Sequence, residues 1–359
     1  MLIQKPRLPV KQIILTGILP GFLKKAVYRL KGYKIGRGVS IGFGSVVCAP
    51  DVAIGDYTSI GPLTIIRGRK ITIGSHVKIG SLTFLDTPYI EIGDESKINE
   101  QVYIGGLQSH DSRFTLGKNC QIMQMSFINP AKSITIGDDS VVGGHGLLFG
   151  HNSWQNRFDG YGVDFEPIEI GNRVALSWRV FVLPGTKIGD GSVIAPDSLV
   201  TKSIPPMSLA AGYPARVISK APDFPEKLSE EQKVRIFEKI VDEMAAYFDG
   251  SGFPVVRKPG LLAATQVKKR LGFSRRKTWL CGFTTEDLEK PFSDTGSPAL
   301  DVFVSLKAIP AELRRTFNGK HVMWLDIEKR ERPLFWNDLG DEVALFFRRY
   351  GVRFNRVEE

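Results

Sequence analysis

The sequence predicts an all-β parallel helix of about eight coils, preceded by a short basic segment and followed by a small α/β domain. Three observations carry this. An aliphatic residue followed by Gly recurs at Ile35, Ile54, Ile73, Ile92, Leu116, Ile136, Ile170 and Ile188. Six residues after each stand Ile41, Ile60, Ile79, Ile98, Ile122, Val142, Leu176 and Ile194, and six further on Val47, Ile66, Leu85, Ile104, Ile128, Leu148, Val182 and Val200. Wherever the spacing exceeds eighteen residues, the surplus falls after the third aliphatic position. Ordinary antiparallel hairpins have no reason to keep a six-residue step.

The first element is the basic segment, residues 1–34. It contains Lys5, Arg7, Lys11, Lys24, Lys25, Arg29, Lys31 and Lys34 and no acid, so it carries +8 of the net +10. Its apolar run over 13–23 is broken by Thr16, Gly17, Pro20 and Gly21. Such a run is too short to span a bilayer, and no small-residue cleavage site follows it. Composition leaves three roles open: peripheral contact with an anionic membrane, nucleic-acid binding, or packing on the next domain with its charges in solvent. Nucleic acid is not the expected partner. Cys48, Cys120 and Cys281 are odd in number and far apart, so no disulfide framework or cysteine zinc cluster can be built from them. A cytoplasmic location is expected, at the inner face of a membrane if the basic segment docks there.

The second element is the coil, 35–221. Each turn has three short faces, with one aliphatic side chain per face pointing into a narrow interior. Gly or a small residue is expected to turn each corner without steric penalty. Turns pair with those above and below at about 4.8 Å, so eight give a prism roughly 38 Å long. One turn cannot bury its aliphatic side, and stability comes from stacking. Steps between turns are 19, 19, 19, 24, 20, 34 and 18 residues. Two insertions are therefore long, 105–115 and 149–169, and both leave from one corner, two turns apart. Long loops on a rigid scaffold are where function concentrates.

The run IGDGSVIAPDSLVTKSIPPMSLAAGYPARVI, 188–218, gives the coil a recognisable end. It resembles the closing signature of the hexapeptide-repeat acyltransferases, closest to the maltose and galactoside O-acetyltransferase branch and its polysaccharide-modifying relatives. The likeness is strongest over 134–218 and weaker back to about residue 35. It implies a left-handed β-helix, a homotrimer, an acyl-CoA donor (probable acyl group acetyl) and a glycan acceptor. No metal is implied.

By that resemblance His151, in LLFGHNSW, is the catalytic histidine. A general base must take a proton from the acceptor hydroxyl as it attacks the thioester, then return one to the leaving thiolate, and imidazole suits both steps. Coenzyme A would be held by Lys202 and Arg216 at its phosphates, by Thr201 and the amides around Ala211 and Gly212, and by Ser177 and Trp178 along the pantetheine arm. His145, Asn152 and Trp154 are the candidate acceptor contacts, with Arg157, Asp159, Tyr161 and Asp164 completing a sugar-compatible loop. Each also has a plain reading as a surface, loop or subunit-packing residue. His110 lies on the other long loop; with His145 and His151 it would be the ligand set of a rival zinc hydratase.

Departures from the family pattern matter. Met123 stands where an Asn holding the acyl oxygen is expected, Ala131 where an acidic acceptor ligand is expected, Ala175 for a Trp and Tyr213 for an Asn. The oxyanion would then be met by a backbone N–H, by Gln121 or Gln124, or by a neighbouring subunit. A small galactoside or maltose is not the expected acceptor, and a non-enzymatic scaffold stays open.

The third element is 222–359. Pro222 and Pro225 mark a linker. Ser229, Glu230, Glu231 and Gln232 read as a capping box opening a helix to about Phe248, with Val234, Phe237, Ile240, Val241, Met244 and Phe248 on one face. Strands are expected over 278–283, 302–306 and 322–327, and helices over 311–317 and 339–350. No catalytic motif stands out, Glu331, Asp338 and Asp341 reading as surface and capping groups, and the domain's role is open.

Overall fold

A computed structural model describes residues 8–270, 273–286 and 299–358. The chain divides into two compact units, Met1–Lys227 and Leu228–Glu359.

In the first unit, strands return to three sheets in strict rotation. The first and third faces each stack eight strands and the second ten, the last two of these being Ser208–Gly212 and Ala215–Lys220. Every pairing between successive coils is parallel, and like columns meet: Ile35 pairs Ile54, Ile60 pairs Ile79 and Ile128 pairs Leu148. This parallel stacking fits the left-handed β-helix implied by the closing signature. The three aliphatic columns form one continuous core, in which Ile66, Leu85, Ile98, Ile104, Ile122, Ile128 and Leu148 have no measurable exposure. Burying each such side chain contributes roughly 1.5–3 kcal/mol, repeated coil after coil.

The corners correct one expectation. Glycines after the first face, such as Gly55 and Gly93, do not have positive φ. They are required because a Cβ at Gly55 would lie 2.5 Å from the backbone of Gly74, and one at Gly93 2.6 Å from Gly117. The left-handed residue sits two positions later and is mostly not glycine: Tyr57, His76, Glu95, Asn119, Asp139 and Arg173 at the first corner have φ of 54–58°. The second corner repeats this at Leu63, Leu82, Gln101, Met125, His145, Arg179 and Asp197. A left-handed L-residue costs about 1–2 kcal/mol, and backbone bonds between coils offset it, as where the Glu95 N–H donates to Ser75 O at 2.9 Å.

Both long insertions leave the third corner, after Tyr103–Gly105 and after Leu147–Phe149. At the other end, the helix Gly21–Leu30 closes the first coil. No described helix is long and apolar enough to cross a membrane.

The second unit is a seven-stranded sheet in sequence order with helices Glu230–Gly250, Ala311–Gly319 and Asp338–Arg348. The expected capping box is present: Gln232 N–H donates to Ser229 Oγ, and Ser229 N–H to Gln232 Oε1. Strands Val302–Ser305 and Met323–Asp326 lie parallel around Ala311–Gly319. The expected strand 278–283 forms the end of Phe273–Thr284, whose antiparallel partner Leu261–Arg270 was not among the expected elements. Buried Arg314 pairs with Asp326 and Glu331 at 2.6 Å and lies over Trp324, while Asp341 pairs with Arg332, so these acids are structural.

Candidate functional site

The third corner brings the two loop roots and one polar side chain into a single column. Gly105, Asn129 and Phe149 end successive third-face strands, so Asn129 lies between the insertions. The first loop is pinned to the next coil: Ser109 and Ser112 hydroxyls both donate to Ala131 O at 2.9 Å, and Lys132 pairs with Asp111. The Ser109 hydroxyl and Lys132 hold the Asp111 carboxyl down at about 2. Gly106, at φ 125°, lies against Asn129, and a Cβ there would come within 2.7 Å of its side chain. The second loop closes on itself through paired backbone bonds between Asn152 and Asp164, and Arg157 donates to Val163 O.

His151 sits at the base of that second loop. The residue is only 7% exposed. Trp154 and Phe165 from the loop and Phe149 from the coil surround it, with ring centroids 5.5, 5.9 and 5.9 Å away. Asn129 Nδ2 lies 2.8 Å from Nε2, and Ser153 Oγ 3.1 Å from Nδ1. With the amide nitrogen turned to the ring, Nε2 carries the lone pair and Nδ1 the proton. Burial lowers the His151 pKa below its ordinary value, which favours the neutral, unprotonated ring at neutral pH. Asn129 Oδ1 is buried and has no hydrogen-bond partner among the described residues.

The other expected residues divide between two corners. Asn152 and exposed Trp154 share the third corner with His151. Thr201 and exposed Lys202 follow the third-face strand Leu199–Val200, two coils above Phe149, about 10 Å along the axis. Ser177, Trp178, Ala211 and Gly212 lie at the second corner instead. Gly143 N–H donates to Leu176 O, Ser177 N–H to Ile194 O and Ala195 N–H to Ala210 O, which stacks this corner in register. The Trp178 ring covers Gly144, where a Cβ would meet it at 2.5 Å, and comes within 6.0 Å of His145. Arg216 is exposed and paired across the terminal hairpin with Ala211.

Within one chain, then, the third face separates His145, Trp178 and Arg216 from His151. That face carries an apolar, partly exposed outer column, Ile65, Phe84, Tyr103, Phe127, Leu147, Phe181 and Leu199, which Val46 of the first coil continues under the N-terminal segment. The rings of Phe84, Tyr103 and Phe127 stack at 4.9–5.1 Å. The matching outer column of the first face includes Glu91, Thr115, Thr135, Glu169 and Lys187.

Several expectations are corrected here. Gln124 accepts from Asn99 at the second corner and Gln121 opens a second-face strand, so neither reaches His151 within the chain. Met123 lies beside Asn99, and Ala131 is buried with its carbonyl bound by the first loop. The polar neighbours of His151 are Ser153, two residues on in the loop, and Asn129, which was not among the expected site residues. Its signal was a polar residue in the third-face column between two loop roots. His110 is exposed and in ion-pair range of Asp111. Among the described residues, no group of three or more His, Cys, Asp or Glu could hold a metal ion.

No family model matches the chain. It is 38% identical to the galactoside O-acetyltransferase of Escherichia coli K12 over 118 residues, 32% of this chain and 58% of that protein. It is 36% identical over 112 residues to a candidate acetyltransferase of Schizosaccharomyces pombe, 30% of this chain and 50% of that protein. The chain thus spans about half the length of the curated relatives it matches. A solved hexapeptide-repeat acetyltransferase of Vibrio cholerae, complexed with acetyl coenzyme A, overlaps 58% of this chain and 81% of that one at 20% identity, with a TM-score of 0.30. The resemblance to the galactoside O-acetyltransferases is borne out by the first of these sequence similarities.

Proposed function

We propose that the chain is an acetyl-CoA-dependent O-acetyltransferase acting on a sugar, a polysaccharide or a lipid-linked glycan precursor, with His151 as general base and direct transfer. The observation that carries this is the nearly covered imidazole at the third corner, with the Asn129 amide 2.8 Å from its Nε2. An acceptor hydroxyl takes the place of that amide on Nε2. Its proton passes to the imidazole as the oxygen bonds the thioester carbonyl; the carbon–sulfur bond then breaks, and the imidazolium returns the proton to the thiolate. Products are the acetyl ester and free coenzyme A, with no covalent enzyme intermediate. Exposed Trp154, Phe158 and Tyr161 on the second loop offer ring faces to a glycan.

The division of expected donor contacts between two corners supports a site built by two chains in a homotrimer. The third corner of one copy supplies His151, Thr201 and Lys202. The second corner of its neighbour supplies Ser177, Trp178, Ala211, Gly212 and Arg216. The apolar column on the face between these corners suits burial against a neighbour. Lys202 and Arg216, both exposed, fit the phosphates of the donor only when two copies bring their corners together.

One observation favours a non-enzymatic scaffold: both ring nitrogens of His151 already have partners. The deciding assay is release of free thiol from acetyl-CoA in the presence of oligosaccharide acceptors. Acceptor-dependent release that disappears in His151→Ala supports the transferase. Binding of neither coenzyme A nor acceptor supports the scaffold.

A further inference from the structure

The first 27 described residues have two faces of opposite character. One is fastened to the bottom of the β-helix. The buried Lys24 ammonium donates to Gly42 O and Ser45 O. The Tyr28 hydroxyl accepts from Val47 N–H at 2.9 Å, and the Tyr33 hydroxyl donates to Ala49 O at 2.7 Å. Gly44 N–H donates to Gly17 O at 2.8 Å, and Gly17 fits there because a Cβ would come within 3.2 Å of Val46. These bonds set the orientation of everything between 17 and 33.

The other face is apolar and uncovered. Ile14, Leu15, Ile18 and Phe22 fall within nine residues, with Leu15 at 65% and Phe22 at 69% exposure. The Gly17–Gly44 bond lays this segment beside the second corner of the first coil, where Phe43 is also exposed, and Leu63 repeats the feature one coil on. Single exposed apolar side chains are ordinary; a contiguous group rimmed by charge marks a surface that meets something. The same segment is cationic. Lys11, Lys25, Arg29, Lys31 and Lys34 occur without an acid between residues 8 and 34, and all but half-buried Lys25 are exposed, Arg29 also donating to Ile35 O and Gly36 O.

We propose that this N-terminal cap docks the protein on an anionic lipid bilayer, lying in the interface with Ile14, Leu15, Ile18 and Phe22 in the acyl boundary and its lysines among the phosphates. Charge decides between occupants. A second copy would bring the same acid-free cations to the contact, whereas a bilayer supplies hydrocarbon for the side chains and phosphate for the cations. The helix Gly21–Leu30, about 15 Å long, can lie along the surface but not cross it. This inference stands apart from the acyl-transfer reading.

The test is flotation of the full chain with vesicles of phosphatidylcholine alone and of phosphatidylcholine with phosphatidylglycerol. Binding is expected on the anionic vesicles, weakened by salt, and at least tenfold lower on the neutral ones. Leu15→Ser with Phe22→Ser should reduce it at least tenfold, and Lys11→Gln or Lys25→Gln about fivefold each. An unchanged melting temperature shows that the variants are folded. Equal binding to both vesicles, no binding to either, or a double serine variant that floats like the parent overturns the proposal. A change in solution mass of that variant without vesicles also overturns it and assigns the face to a second copy. Thiol release with a soluble acceptor keeps the two readings separable: lost flotation with intact release counts against the cap alone.

Discussion

The second and third corners bound the same face of the same coil, yet they are built differently. The second is a short turn held in register from coil to coil, with a left-handed residue at one fixed position from Leu63 to Asp197. The third releases every long insertion and places His151 beneath one of them. A corner whose turn length is fixed can vary only its side chains. The third corner also bonds from coil to coil, as where Gly150 N–H donates to Asn129 O at 2.9 Å, but its length changes between coils, and the chain added there roofs a histidine. The difference teaches where a stacked fold can add a loop: at the corner whose turn length is not fixed.

The sharpest way to break the contrast is to exchange the roles of its two histidines. His151→Ala should lower kcat by about 10²–10⁴-fold, the usual range for a general base. His145→Ala, on the short corner, should leave kcat within a few fold. Thiol release measured on both variants decides it, and an equal loss in both would erase the distinction.

The coil itself should be indifferent to which corner it feeds. Leu148→Ala, at a fully buried site between them, should cost about 2–5 kcal/mol in denaturant unfolding. A smaller loss would mean that the stack can close over the cavity.

Donor contacts divided between corners should behave alike despite their separation. Lys202→Ala and Arg216→Ala should each raise the KM for acetyl-CoA about tenfold with little change in kcat, as expected for a charge-assisted phosphate contact. An effect confined to one variant would show that only one corner meets the donor.

The smallest effect is the pH profile. Burial lowers the His151 pKa, so its base form persists below the ordinary value of 6.5. kcat/KM should therefore stay level as pH falls through 6.5 and decline only below it. Asn129→Ala removes the donor that holds the Nε2 lone pair. It should cost about two- to tenfold in kcat and move the acid limb upward. A limb that stays in place would assign the depressed pKa to burial alone.

The legible and illegible parts of this chain follow the same contrast. The aliphatic columns were readable because a six-residue step fixes which side chains point inward, and stacking repeats the requirement in every coil. The insertions were readable as departures from that step. What the period could not give was how a loop folds back, so the covering of His151 by Trp154 and Phe165 was not foreseen. Asn129 was missed because counting from the first face placed the expected amide at Met123, whereas the contact comes from the third-face column. The glycine after each first-face aliphatic residue is required by close approach to the next coil, whereas Gly38, Gly44 and Gly191 occupy the left-handed corner positions.

The central claim is that one functional site needs the third corner of one copy and the second corner of another. Mixing two impaired chains tests it most directly, assayed at acetyl-CoA well below the KM of the donor-site variant: His151→Ala with a Trp178→Ala, Arg216→Ala double variant, after subunit exchange confirmed by mass. The account predicts that mixed oligomers regain thiol release, because some sites then pair an intact third corner with an intact second corner. Exchanged oligomers that stay as inactive as their parents would contradict it.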